Sequence, residues 1–208
     1  MAQLVEQEKQ TSPNVAHYAA EYRRTLEQAP AQPRWLARAR ESAMAQFERL
    51  GFPTTKLEQW RFTSVAPIAE RTFALAKDGA AAAQPQAKAL SAPIAQAVCA
   101  NGRFVPQLSN LGNLPKGVQL LGLEAALASQ PGLIEPYLAK LSLTETNSFT
   151  SLNTAFVRDG VVLLIPARAV VEQPIEITFA SASEGTGSVS HPRLLIVAGE
   201  ASQATVFE

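Results

Sequence analysis

The sequence predicts an α+β chain, with a helical N-terminal domain ahead of a region of β-strands. Three observations predict it. Apolar residues recur at three- and four-residue steps through residues 13–50. An Asn-Gly pair at 101–102 separates two apolar runs. After residue 157, short β-rich runs follow one another to the last residue. The expected boundaries are a helical domain at 1–72 and a flexible linker at 73–92. A small α/β region with an Asn-Gly hairpin is expected at 93–156, and the first strands of an incomplete β core at 157–208.

Residues 1–11 carry no pattern and are expected to fray. Ser12-Pro13 starts the first helix: a capping hydroxyl, then proline at the first helical position, where its missing N–H costs nothing. Val15, Tyr18, Tyr22 and Leu26 form its apolar stripe. Ala29-Pro30-Ala31-Gln32-Pro33 breaks it, and a second helix begins near Pro33 with Leu36, Ala39, Ala43, Phe47 and Leu50 on one face. Gly51 suits the position after its last turn, with Pro53 just beyond. The pair predicts a helical hairpin.

Leu57, Trp60 and Phe62 crowd the polar stretch 53–63, where one or two helical turns capped by Thr54 or Thr55 would anchor them. A further short helix is expected around Pro67. Residues 73–92 are rich in Ala, Gln and Lys and nearly free of bulky side chains, hence the linker. Ala97 to Val105 reads as a β-hairpin, because Asn101-Gly102 supplies the two positive-φ positions of a type I′ turn. Pro106 ends the returning strand. A strand over Val118 to Leu121 follows, then helices over Leu123 to Ala128, Pro131 to Leu141 and Asn147 to Phe156. Arg158-Asp159-Gly160 turns the chain into the β region.

Strand runs there begin near 161, 175, 194 and 204, divided by Pro166, Gln173-Pro174, a Ser/Gly-rich stretch at 181–190 and Gly199-Glu200. Unequal strands of this kind fit an irregular β-solenoid, and they also fit the first strands of a sandwich. The last run, Ala204 to Glu208, has no turn or charged tail after it. Such an edge is expected to be covered by a partner, or by a continuation of the natural chain.

Eighteen basic residues balance eighteen acidic ones, so the electrostatic footprint of a nucleic-acid binder is missing. Arg34, Arg38 and Arg40, flanked by Glu41 and Glu48, read as a solvated helix face rather than a phosphate-binding patch. Residues 1–10 have no apolar core of a signal peptide, and no apolar run approaches the roughly 20 residues of a membrane span. One cysteine excludes an internal disulfide. A soluble, cytoplasmic protein without nucleic-acid or membrane partners is expected.

No catalytic, cofactor-binding or metal-binding residue is assigned. His17, His191 and Cys99 are scattered, without the paired spacing of a zinc site. Cys99 lies between Val98 and Ala100, with no neighbouring histidine to activate it, and reads as a small buried hydrophobe. There is no G-x-S-x-G elbow, no phosphate loop and no G-x-G-x-x-G; Gly185-Thr186-Gly187 reads as a loose loop. Trp35 and Trp60 read as core or interface anchors.

Three segments resemble a known family. Pro53-Thr54-Thr55-Lys56-Leu57-Glu58-Gln59-Trp60-Arg61-Phe62-Thr63 is similar to the P-T-x-K-x-E-x-W-[RK]-[YF]-T signature of the SufB/SufD family of the SUF iron–sulfur cluster assembly system. Val98 to Ser109 resembles its V-N-G-x-F-x-P-x-L-S hairpin. Leu152 to Phe156, Asp159-Gly160 and Val170 to Ile175 resemble the start of its core. The hairpin and leading helices favour the SufD branch. The resemblance implies the N-terminal part only of such a protein: an N-terminal helical domain followed by the start of a right-handed parallel β-helix. It implies a non-enzymatic scaffold pairing with SufB-like and SufC-like subunits, the latter an ATPase, and supporting cluster assembly and iron entry. A homodimer is a further option. The iron–sulfur cluster is assembled by the complex, with no cofactor bound by this chain, and the cluster-site and ATPase-docking residues would lie past Glu208. Two rivals are a stand-alone interaction module for a sulfur-transfer partner and a β-helix acyltransferase. The latter would need hexapeptide turns and a catalytic histidine that residues 161–208 do not show.

Overall fold

The computed structural model describes residues 13–28, 32–77, 92–140, 147–182 and 187–208. The frayed start, the Ser12 cap, the break at 29–31, the greater part of the expected linker (78–91), Leu141 and Gly185-Thr186 lie outside these residues. In chain order the helices are α1 (Pro13–Gln28), α2 (Arg34–Leu50), α3 (Ala66–Ala69), α4 (Leu123–Ser129), α5 (Pro131–Ile134) and α6 (Ser148–Ala155). The strands are β1 (Ala74–Leu75), β2 (Ala95–Ala100), β3 (Arg103–Phe104), β4 (Gln119–Gly122), β5 (Val161–Ile165), β6 (Ile175–Ala180), β7 (Ser188–Val189), β8 (Leu194–Ala198) and β9 (Val206–Phe207). Short 3-10 turns stand at Glu58–Trp60 and Pro106–Leu108.

One buried stripe per helix builds the helical layer. Val15, Tyr18, Ala19 and Tyr22 of α1 meet Ala43, Met44 and Phe47 of α2 and Leu152 and Ala155 of α6. Aromatic rings lock it edge to face: Tyr18 on Phe47 at 6.1 Å and Phe47 on Phe52 at 5.2 Å. Leu26, the last stripe residue expected, is exposed. Helix α2 stops where Gly51 takes φ 64°, its N–H bonding Phe47 O at 2.8 Å. Asn147 caps α6, its side-chain oxygen accepting from Thr150 N at 3.0 Å. The helix expected over Pro131 to Leu141 runs only to Ile134; Ala139, at φ 60°, cannot continue it.

The strands form a four-stranded sheet ordered β3-β2-β6-β9, a three-stranded sheet ordered β4-β5-β8, and the pair β1-β7. Asn101 (φ 50°) and Gly102 (φ 79°) make the expected turn, and β2 and β3 are antiparallel across it. The two larger sheets share a core of Ala95, Ala97, Cys99, Leu120, Val161, Leu163, Ile175 and Ile177. The other side of β5, Val162 and Leu164, packs on Leu36, Leu123, Ala126, Ile134 and Leu138. Burial on both faces explains why β5 is an unbroken apolar run.

Among the described residues the expected β-helix is not found. The chain is α+β, but its strands fall into three small sheets with mixed parallel and antiparallel neighbours, none closed or curled. The physical reason is partner choice. β6 takes upstream β2 as one parallel neighbour, and β5 takes upstream β4 as an antiparallel one. The strands after residue 157 therefore do not make a β-structure among themselves alone.

Candidate functional site

Cys99 is 1% exposed on β2. Burial, reinforced by Asp159 and opposed by Arg103, pushes its thiol up to about 12, so it stays protonated and inert. Asp159 is itself buried and spoken for, its carboxylate accepting from Phe104 N (2.9 Å) and Glu124 N (3.0 Å). His17 and His191 are not brought together: His17 Nε2 contacts Phe73 O at 3.0 Å, whereas His191 stacks on Phe156. Among the described residues no group of three or more His, Cys, Asp or Glu could hold a metal ion, and no helix is long and apolar enough to cross a membrane.

The arginine cluster of α2 divides. Arg34 and Arg38 are exposed, as expected of a solvated face. Arg40 is not: it is 3% exposed. Its Nε donates to Ala155 O (2.8 Å), Nη1 to Gln32 Oε1 (2.7 Å) and Nη2 to Thr25 Oγ1 (3.4 Å), and its guanidinium lies 5.6 Å from the Tyr22 ring. Ala155 closes α6, whose carbonyl end carries partial negative charge suited to a cation. Burial, partly offset by Tyr22, pushes the Arg40 guanidinium below its usual range, and Arg158 adds to the depression. The signal was available in phase: Arg40 stands four residues after Leu36 and three before Ala43, on the buried stripe itself.

Arg40 floors a cavity of about 350 Å³ where the helical layer meets the β region. Its walls come from the end of α1 (Thr25), the β1 segment (Leu75 to Lys77), the hairpin turn (Asn101 to Arg103), the turn after α6 (Phe156, Arg158) and the β7 segment (Val189 to His191). Hydrogen bonds fix these walls to one another. Ala76 N donates to Val189 O (2.9 Å), and Asn101 Nδ2 to Lys77 O (3.2 Å). Asn101 N reaches Ala180 O, and its Oδ1 accepts from Ala182 N, each at 2.9 Å. Arg40, Lys77, Arg103 and Arg158 all line the cavity, and among the described residues no lining residue is acidic. Arg103 pairs with Glu124 at 2.8 Å, outside the lining. These cations lie far apart in the chain, and only the topology collects them.

The sequence matches the family described as SufBD protein, N-terminal region, over residues 12–177. The chain belongs to the SufBD family. An iron–sulfur cluster assembly SufBD family protein of Synechocystis sp. is 30% identical over 83% of this chain and 38% of its own length. The iron–sulfur cluster assembly protein SufD of Bacillus subtilis is 25% identical over 90% of this chain and 44% of its own length. The chain thus spans less than half the length of these SufBD relatives. SufBD proteins take part in iron–sulfur cluster assembly. The 53–63 segment is less buried than its apolar content suggests. Trp60 packs on Phe149 at 5.5 Å, but Leu57 is 54% and Phe62 93% exposed, with Arg61 over the Phe62 ring. Thr54 accepts from Lys56 N rather than capping the 3-10 turn.

Proposed function

We propose that this SufBD chain serves as a SufD-like scaffold component of iron–sulfur cluster assembly. In this reading it pairs with SufB-like and SufC-like subunits, performs no catalysis of its own, and supports assembly and iron entry within the complex. The match over residues 12–177 carries the proposal. The SufD of Bacillus subtilis, aligned over 90% of this chain, supports the SufD branch. A non-enzymatic role is consistent with the sole cysteine, which is sealed in the core as a neutral thiol. A cytoplasmic location belongs to the same reading.

The test is to co-express the full-length protein with SufB-like and SufC-like subunits and purify through a tag on one of them. A stable complex is expected, with cluster reconstitution reduced when this subunit is omitted. No complex, together with reconstitution unaffected by omission, would overturn the proposal.

A further inference from the structure

We propose that the cavity over Arg40 is a binding site for a small multivalent oxyanion, a molecule bearing phosphate or carboxylate groups. Two observations converge on this. First, the charge of the described lining is one-sided: Arg40, Lys77, Arg103 and Arg158 face the cavity, and among the described residues no carboxylate does. Three described acids of the neighbouring segments are otherwise placed. Asp159 is held by backbone N–H groups, Glu124 pairs with Arg103 outside the cavity, and Glu41 is exposed on α2. Second, Arg40 is buried with only neutral acceptors bound to it: a carbonyl, an amide oxygen and a hydroxyl. Buried charges are ordinarily paired, because desolvation is expensive without a counter-charge. The carbonyl end of α6 supplies part of that charge, and the described lining of the cavity sets further cations around it.

The site is graded in depth. Arg40 forms the floor, Arg103 the half-buried wall, and Lys77 and Arg158 the exposed rim. Guanidinium groups at different depths favour a ligand with several oxygens, which each fork can meet with paired N–H donors. About 350 Å³ accommodates a small molecule rather than a single ion. The site does not depend on the assembly role. It makes no use of the 53–63 signature, and it would hold if the partner proposal failed.

The experiment is titration calorimetry on the full chain at low ionic strength, with inorganic pyrophosphate as the phosphate probe and citrate as the carboxylate probe. Saturable binding of either one is expected, and the tighter one identifies the source chemistry. The rim variant Lys77→Gln/Arg158→Gln should weaken binding about tenfold or more. Its unfolding midpoint without ligand should match the parent, which separates lost binding from lost folding. Arg71→Gln, an exposed charge away from the cavity, should bind as the parent does. The proposal is overturned if neither probe saturates, if the rim variant binds as tightly as the parent, or if only an acidic peptide such as polyglutamate binds.

Discussion

The His191 imidazole lies flat on the Phe156 ring, with centroids 4.8 Å apart and planes 14° from parallel. Burial there drives its pKa down to about 4. An unfolded histidine titrates near 6.5. Below that value the unfolded state binds a proton that the folded state refuses, so stability is full above about pH 6.5 and declines as pH falls towards 4. The group contributes about 3 kcal/mol across that window. Urea unfolding at several pH values should show the decline, and His191→Gln should flatten it relative to the parent. Equal slopes in the two proteins would contradict the buried neutral imidazole.

Arg40 joins α2 to the last carbonyl of α6 through its hydrogen bond to Ala155 O. Arg40→Ala should therefore destabilise the chain by about 2–4 kcal/mol, read as a lower urea midpoint. Arg40→Lys should not restore it, because an ammonium cannot reach Ala155, Gln32 and Thr25 from one planar fork. A parent-like midpoint for the lysine variant would mean that charge alone matters at this position.

Gly160 adopts φ 150°, and a Cβ there would lie 2.0 Å from Arg193 O. That carbonyl accepts the Val161 N–H at 2.8 Å, the first bond joining β5 to the β8 side. Gly160→Ala is expected to cost about 3 kcal/mol or more, since backbone rather than a side chain must move. Thermal unfolding should show a clear loss. Gly132→Ala, where an added Cβ meets nothing within 4 Å, should stay close to the parent.

Cys99 should resist thiol reagents in the native state. With its pKa near 12, only about one molecule in ten thousand carries a thiolate at pH 8. Labelling with a disulfide reagent should be negligible without denaturant and complete in urea. Rapid labelling of the folded protein would show that β2 opens locally.

The helices and the Asn-Gly hairpin were legible because local chemistry decides them. A stripe of Val15, Tyr18 and Tyr22 needs a buried face, and Asn101-Gly102 accepts positive φ whatever surrounds it. The sheets were not legible, because strand partners are chosen by distant sequence. Nothing in Ile175 to Ala180 announces that it will lie beside Ala95 to Ala100. The cavity escaped for the same reason: Arg40, Lys77, Arg103, Arg158 and His191 share no spacing. Arg40 itself was readable. Its neighbours Glu41 and Glu48 suggested a solvated face, but its helical phase put it among Leu36, Ala43 and Phe47.

The pairing of β2 with β6 carries a cost in time. Gln96 and Glu176 stand opposite each other although 80 residues separate them. β6 also takes β9 as its other neighbour, so this inner strand of the larger sheet arrives after one flank and before the other. During synthesis the hairpin can close as soon as it emerges, yet its apolar edge must wait for β6 before it is covered. Pairings of such long range slow folding and leave edges open to mispairing. The sheet's assembly is therefore paced by the delivery of β6, and the hairpin edge is where a holding chaperone or a premature partner would first find purchase.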